Sequence, residues 1–147
     1  MSSIAFSDDE FRLPLYHVND ARYEALGSWL ITEISVSFSA CLAALALVDD
    51  ASNGRAPVEE WDSDSFDVHV DGSRIGFQNR LVESQHGEYS VPEVRDAVER
   101  YWGFLVDRPE RGDLIREYRP DLPWWQAELL QWEERWGRPH PYRGRLF

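Results

Sequence analysis

The sequence predicts an α+β fold, an antiparallel sheet of β-hairpins packed against several α-helices in a single domain. Phe66 to Val82 alternates apolar and polar residues on both sides of Asp71-Gly72. Apolar residues recur at helical spacing from Leu30 to Leu45 and from Val94 to Leu105, and Ser90-Val91-Pro92-Glu93 has the form of a capping box. The 147 residues suit one domain with its own core. We divide it into an α+β core over residues 1–107 and an extension, 108–147, whose Trp-rich helix and Arg- and Pro-rich tail pack on that core.

Ile4 to Val18 reads as a strand, a tight Asp8-Asp9 turn and a second strand, with Phe6, Phe11, Leu13 and Leu15 as its apolar positions. Pro14 has no N–H for a ladder, which puts the segment at a sheet edge or just outside the sheet. Leu30, Ile34, Phe38, Leu42 and Leu45 then predict a long helix from about Trp29 to Asp49. The β-branched Ile31, Thr32, Ile34 and Val36 leave a strand from Trp29 to Val36 as the alternative. Ala51 to Pro57 is a loop, and Glu59 to Asp64 is an acidic approach to the hairpin with Trp61 as its one large apolar residue.

In the hairpin, Asp71-Gly72 suits a two-residue type I′ turn, which sets Val70 opposite Ser73, Val68 opposite Ile75 and Phe66 opposite Phe77. The other face, with Asp67, His69, Arg74 and Gln78, is left for water or a partner. A lone hairpin is marginal in water, so at least one further strand and covering helices must come from elsewhere. Glu83 to Tyr89 reads as a polar link, followed by a helix that Ser90 caps and Pro109 ends, with Val94, Val98, Tyr101, Trp102 and Leu105 as its stripe.

Gly112 to Tyr118 suggests a short helix, and Asp121 is placed to cap another from Leu122 to Trp136, stopped by Gly137 and Pro139. On it Trp125, Leu129, Trp132 and Trp136 share one face. Such a face is ordinarily core, and becomes an interface anchor if Trp124 or Trp136 is exposed. The tail from Arg138 lies on the surface or docks as an extended arm.

The net charge of −12 argues against nucleic acid as a direct partner, because phosphate binding needs a basic patch. Residues 1–64 hold twelve acids against three arginines, a net of −9, whereas residues 108–147 are close to neutral at +1. Ile34 to Val48 is apolar but too short to span a bilayer, and Asp9, Glu10 and Arg12 come too early for a signal peptide. With a single cysteine, Cys41, in an apolar run, the expected setting is a soluble, cytoplasmic protein with a buried thiol.

The four histidines, His17, His69, His86 and His140, are scattered and lack metal-ligand spacing. No nucleophile elbow, phosphate loop or dinucleotide fingerprint is present, and Ser84-Gln85-His86 reads as solvated loop. We expect no enzyme, no cofactor and no metal. What stands out is an acidic band of Asp8, Asp9, Glu10, Glu59, Glu60, Asp62, Asp64 and Asp67, with Trp61 inside it. Each cluster alone serves solubility; together they form a surface suited to a strongly basic protein partner.

Asp9-Glu10-Phe11-Arg12-Leu13-Pro14-Leu15, Tyr23, Ser28-Trp29-Leu30, and Val70-Asp71-Gly72 through Ile75, Phe77 and Gln78-Asn79 resemble the immunity proteins of bacterial contact-dependent growth inhibition systems. The likeness runs from about Phe6 to Leu105, and residues from Arg108 onward have no counterpart in it. It implies an α+β protein without catalysis that binds and neutralises a cognate toxin domain, often a nuclease. A basic nuclease cleft agrees with the acidic band as contact region. The rival expectation is a non-enzymatic adaptor that uses the Trp face of Leu122 to Trp136.

Overall fold

A computed structural model describes residues 4–57, 61, 63–109 and 115–147. Its elements are β1 (Ile4–Asp8), β2 (Pro14–Val18), α1 (Glu24–Trp29), α2 (Phe38–Ser52), β3 (Phe66–Asp71), β4 (Arg74–Asn79), β5 (His86–Ser90), α3 (Val91–Asp107) and α4 (Trp124–Trp136). Two antiparallel sheets result, β1-β2 and β3-β4-β5, so the α+β class holds. No helix of the described residues is long and apolar enough to cross a membrane.

β1 and β2 form a sheet of their own, and Pro14 begins β2 opposite Asp8. The expected long helix is broken. After α1 comes one π-helical turn, Leu30–Ile34, and then Ser35 at φ 52°, a region that non-glycine residues seldom enter. The Ser37 hydroxyl accepts from the Ala40 N–H at 3.0 Å and restarts the chain as α2. Leu30, Ile34, Leu42 and Leu45 are still fully buried, so apolar spacing alone carries no mark of the break.

The hairpin turn lies one residue later than expected. Asp71 pairs with Arg74, Val70 with Ile75, Val68 with Phe77 and Phe66 with Asn79. Only Gly72 needs positive φ, as at the first loop position of a type II′ turn, and Ser73 follows it. The shift preserves side-chain parity, so Phe66, Ile75 and Phe77 still face the core. The supposed polar link contains β5, which pairs with β4 and buries Tyr89 completely. Tyr89 accepts from the Leu26 N–H and donates to the Arg22 carbonyl, tying the third strand to the start of α1.

α1 covers the three-stranded sheet, where Trp29 meets Phe77 with ring centroids 4.8 Å apart. The capping box of α3 is present in full: Ser90 accepts from the Glu93 N–H, and the Glu93 carboxylate accepts from the Ser90 N–H. All five residues of its predicted stripe are buried. α2 packs on α3, α4 packs on α2, and Phe6 of β1 meets Tyr101 edge-on at 4.8 Å.

α4 begins at Trp124, not Leu122, with Pro123 at its N-cap position, and Asp121 instead pairs with Arg119 at 3.1 Å. Residues 115–118 are not helical, and residues 112–114 of the short helix expected there lie outside the described residues. Leu129 and Trp132 are buried in the common core, while Trp124, Trp125 and Trp136 are half-buried. The tail docks, but folded in turns and not as an extended arm, burying His140 and Tyr142.

Candidate functional site

The acidic residues singled out from the sequence fall into two groups on different sheets. Asp8, Asp9 and Glu10 form the turn side of the β1–β2 hairpin; Asp64 precedes β3 and Asp67 lies within it. Glu59, Glu60 and Asp62 lie outside the described residues. No hydrogen bond or ion pair joins the two groups among the described residues.

At the first hairpin the carboxylates have local work. Asp9 Oδ1 accepts from the Phe11 N–H at 2.7 Å and the Leu13 N–H at 2.9 Å, closing the turn. Asp8 pairs with Arg108, just beyond α3, at 3.0 Å, and the same guanidinium donates to the Arg12 carbonyl. Glu10 is exposed, as are Phe11, Leu13 and Leu15. The last three were assigned to strands as apolar positions; only Phe6 of that set packs against the core.

On the second sheet, the face turned from α1 carries Asp67, His69, Gln78, His86 and Glu88 around Gly76. Because Gly76 has no side chain, a shallow, open concavity of about 330 Å³ forms there. Asp67 accepts from Arg80, which holds its carboxyl below the usual carboxylate range, and Glu88 pairs with Arg74 at 2.6 Å. On this face each of the two carboxylates has an arginine counter-ion, so the pairs Asp67–Arg80 and Glu88–Arg74 leave no net charge between them. Exposed pairs of this kind are weak and screened by solvent, so an incoming charged side chain exchanges with them at little cost. Nothing in the sequence marks His86 and Glu88 as part of this face, because the segment that forms β5 has no apolar alternation.

Two acids of the front half are internal. Asp49 and Asp50, 7% and 3% exposed, end α2 and pair with Arg55, and Asp49 also holds Arg145 of the tail at 3.0 Å. Trp61 edges against Trp29 at 4.9 Å and donates to Glu33 at 3.4 Å.

Cys41 is fully buried and burial pushes its thiol well up, away from a reactive thiolate. Ser7 and His17 share a cross-strand side-chain hydrogen bond of 2.6 Å on the exposed side of β1–β2. No cluster of three or more metal-binding side chains occurs among the described residues. Neither a family model, nor a curated protein, nor a solved structure matches the chain.

Proposed function

We propose that the chain is a cytoplasmic immunity protein that binds a basic toxin domain, a nuclease, and blocks its active site by acidic complementarity. The observation that carries this reading is the net charge of −12, with Glu10 and Asp64 exposed and without an ion pair among the described residues, and Asp8 and Asp67 exposed beside their partners Arg108 and Arg80. Nuclease clefts are basic because they neutralise phosphate, and opposed charge both speeds encounter and rejects wrong partners.

The resemblance to contact-dependent growth inhibition immunity proteins supports the same reading. Several of the residues that carry it have structural duties here: Ser28, Trp29 and Leu30 are buried, and Asn79 orders the loop after β4. Inhibition requires a stable complementary surface and no chemistry of the inhibitor's own.

Co-purification with the product of the adjacent upstream reading frame tests the proposal. Expected is a complex that survives moderate salt, with that product's toxicity relieved by co-expression of this chain. A neighbour that is no toxin, or that binds no tighter than an unrelated basic protein, sinks it.

A further inference from the structure

We infer that the tip of the β1–β2 hairpin, Phe11 with Leu13 and Leu15, is the anchor of the interface and seats in an apolar cleft of a basic protein partner. The inference rests on the proposed inhibitory role and adds the element that makes the contact.

Phe11 is 74% exposed, Leu13 54% and Leu15 39%. Single exposed apolar residues are ordinary, but three large ones within five positions make a patch of the kind that marks binding sites. The patch is also held rigid. Asp9 fixes the backbone N–H groups of Phe11 and Leu13, the Asp9 N–H donates to the Leu13 carbonyl at 2.8 Å, and Arg108 braces the turn from the end of α3 through Asp8 and Arg12. Between the apolar residues, Arg12 is held at φ 63°, a conformation rarely adopted by non-glycine residues. A strained and braced turn that presents a phenylalanine to solvent lowers the ordering cost of binding, as hot-spot anchors do.

The occupant follows from charge. Asp9 and Glu10 precede Phe11 and Arg12 follows it, while Asp8 and Arg108 cancel, so the tip carries a net charge of −1. Together with the overall charge of −12 it favours a basic rim around the receiving cleft. The same charge opposes insertion into an anionic lipid surface.

The test measures affinity for the purified product of the adjacent upstream reading frame, using the full chain and the variants Phe11→Ser, Leu13→Ser, Asp9→Ala and Leu81→Ser. Leu81 is 79% exposed on a different loop and serves as the control. Expected are unchanged unfolding midpoints for Phe11→Ser and Leu13→Ser, a loss of affinity of about 30-fold or more for Phe11→Ser, a smaller loss for Asp9→Ala, and wild-type binding for Leu81→Ser. Wild-type affinity in Phe11→Ser, or an equal loss in Leu81→Ser, overturns the anchor and leaves the inhibitory role standing. Failure of the unmodified chain to bind overturns both. Self-association, or co-sedimentation with phosphatidylcholine–phosphatidylglycerol vesicles, that Phe11→Ser removes would replace the basic partner with a second copy or a membrane.

Discussion

The imidazole of His140 lies 2.9 Å from the carbonyl oxygen of Leu42, 98 residues away in sequence. Because a carbonyl only accepts, Nε2 donates; because the Tyr142 N–H donates to Nδ1 at 3.1 Å, that nitrogen must be bare. The ring is therefore the neutral Nε2–H tautomer, and burial lowers its pKa below the ordinary 6.5. Glu133, Asp49 and Arg138 are the charged groups acting on it. In the unfolded chain His140 takes up a proton near pH 6.5 that the folded ring refuses. Stability from this contact is complete above about pH 6.5 and falls as the pH drops towards the lower folded value. Urea midpoints between pH 7.5 and 5.5 should decline, and His140→Gln should flatten the decline. An identical slope in that variant would exclude the residue as its source.

Glu93 gathers interactions from distant parts of the chain. It accepts from Arg22 at 2.6 and 3.1 Å, from the Tyr23 hydroxyl at 2.7 Å and from the Ser90 N–H at 3.0 Å. The Arg22 bond is the main reason that its pKa lies far below the ordinary 4.5. Its contribution is thus present above about pH 4.5 and lost as pH falls below it. Glu93→Gln is expected to lower stability at pH 7 by about 2 kcal/mol, through the weakened cap and charge-assisted bonds, and to make acid unfolding shallower. Chemical denaturation at pH 7 and pH 3 measures both.

Tyr89→Phe should cost about 1–3 kcal/mol, because it leaves the Leu26 N–H and the Arg22 carbonyl without their shared hydroxyl. A Cβ at Gly87 would stand 2.5 Å from that hydroxyl, so Gly87→Ala displaces the same buried ring. The double variant should be less destabilised than the sum of the singles, a deviation that a double-mutant cycle detects.

The tail can be dissected by two substitutions. Tyr142 is 1% exposed and donates to Glu99 at 2.8 Å, so Tyr142→Ala should cost about 3–5 kcal/mol by analogy with other buried aromatic truncations. Arg145 reaches Asp49 from a half-exposed position, and Arg145→Ala should cost at most about 1 kcal/mol. Equal effects in thermal unfolding would contradict this ranking. Since Leu129 and Trp132 belong to the core, truncation after Pro120 should unfold the chain, so it is not a clean test of an adaptor role for α4.

Interactions between near neighbours are legible in the sequence alone. The Ser90–Glu93 box, the stripe of α3, the glycine stop after α4 and the hairpin around residue 72 depend on spacings of a few residues, and each is where the pattern put it. The turn register was missed by one residue because Asp-Gly also fits with Asp71 as the last residue of the strand, and the pairing that decides between the two registers is a property of both strands.

β5 was missed for a different reason. His86-Gly87-Glu88 carries no apolar alternation, and the segment becomes a strand because β4 offers an edge and Tyr89 a buried anchor. Likewise nothing local marks Ser35 as the point where a helical pattern stops; its carbonyl accepts from Tyr101, 66 residues on.

By itself the sequence determined the mixed class, the best-capped helix and an acidic front half, since composition, periodicity and capping act over short distances. Only the tertiary structure decided which carboxylates remain at the surface. Asp49 and Asp50 are drawn inward by arginines, Asp9 is spent on a turn, and Phe11, Leu13 and Leu15 are left in solvent. The reason is geometric: whether a charge or a ring meets water depends on what other segments bring to it, and that is settled when the chain packs.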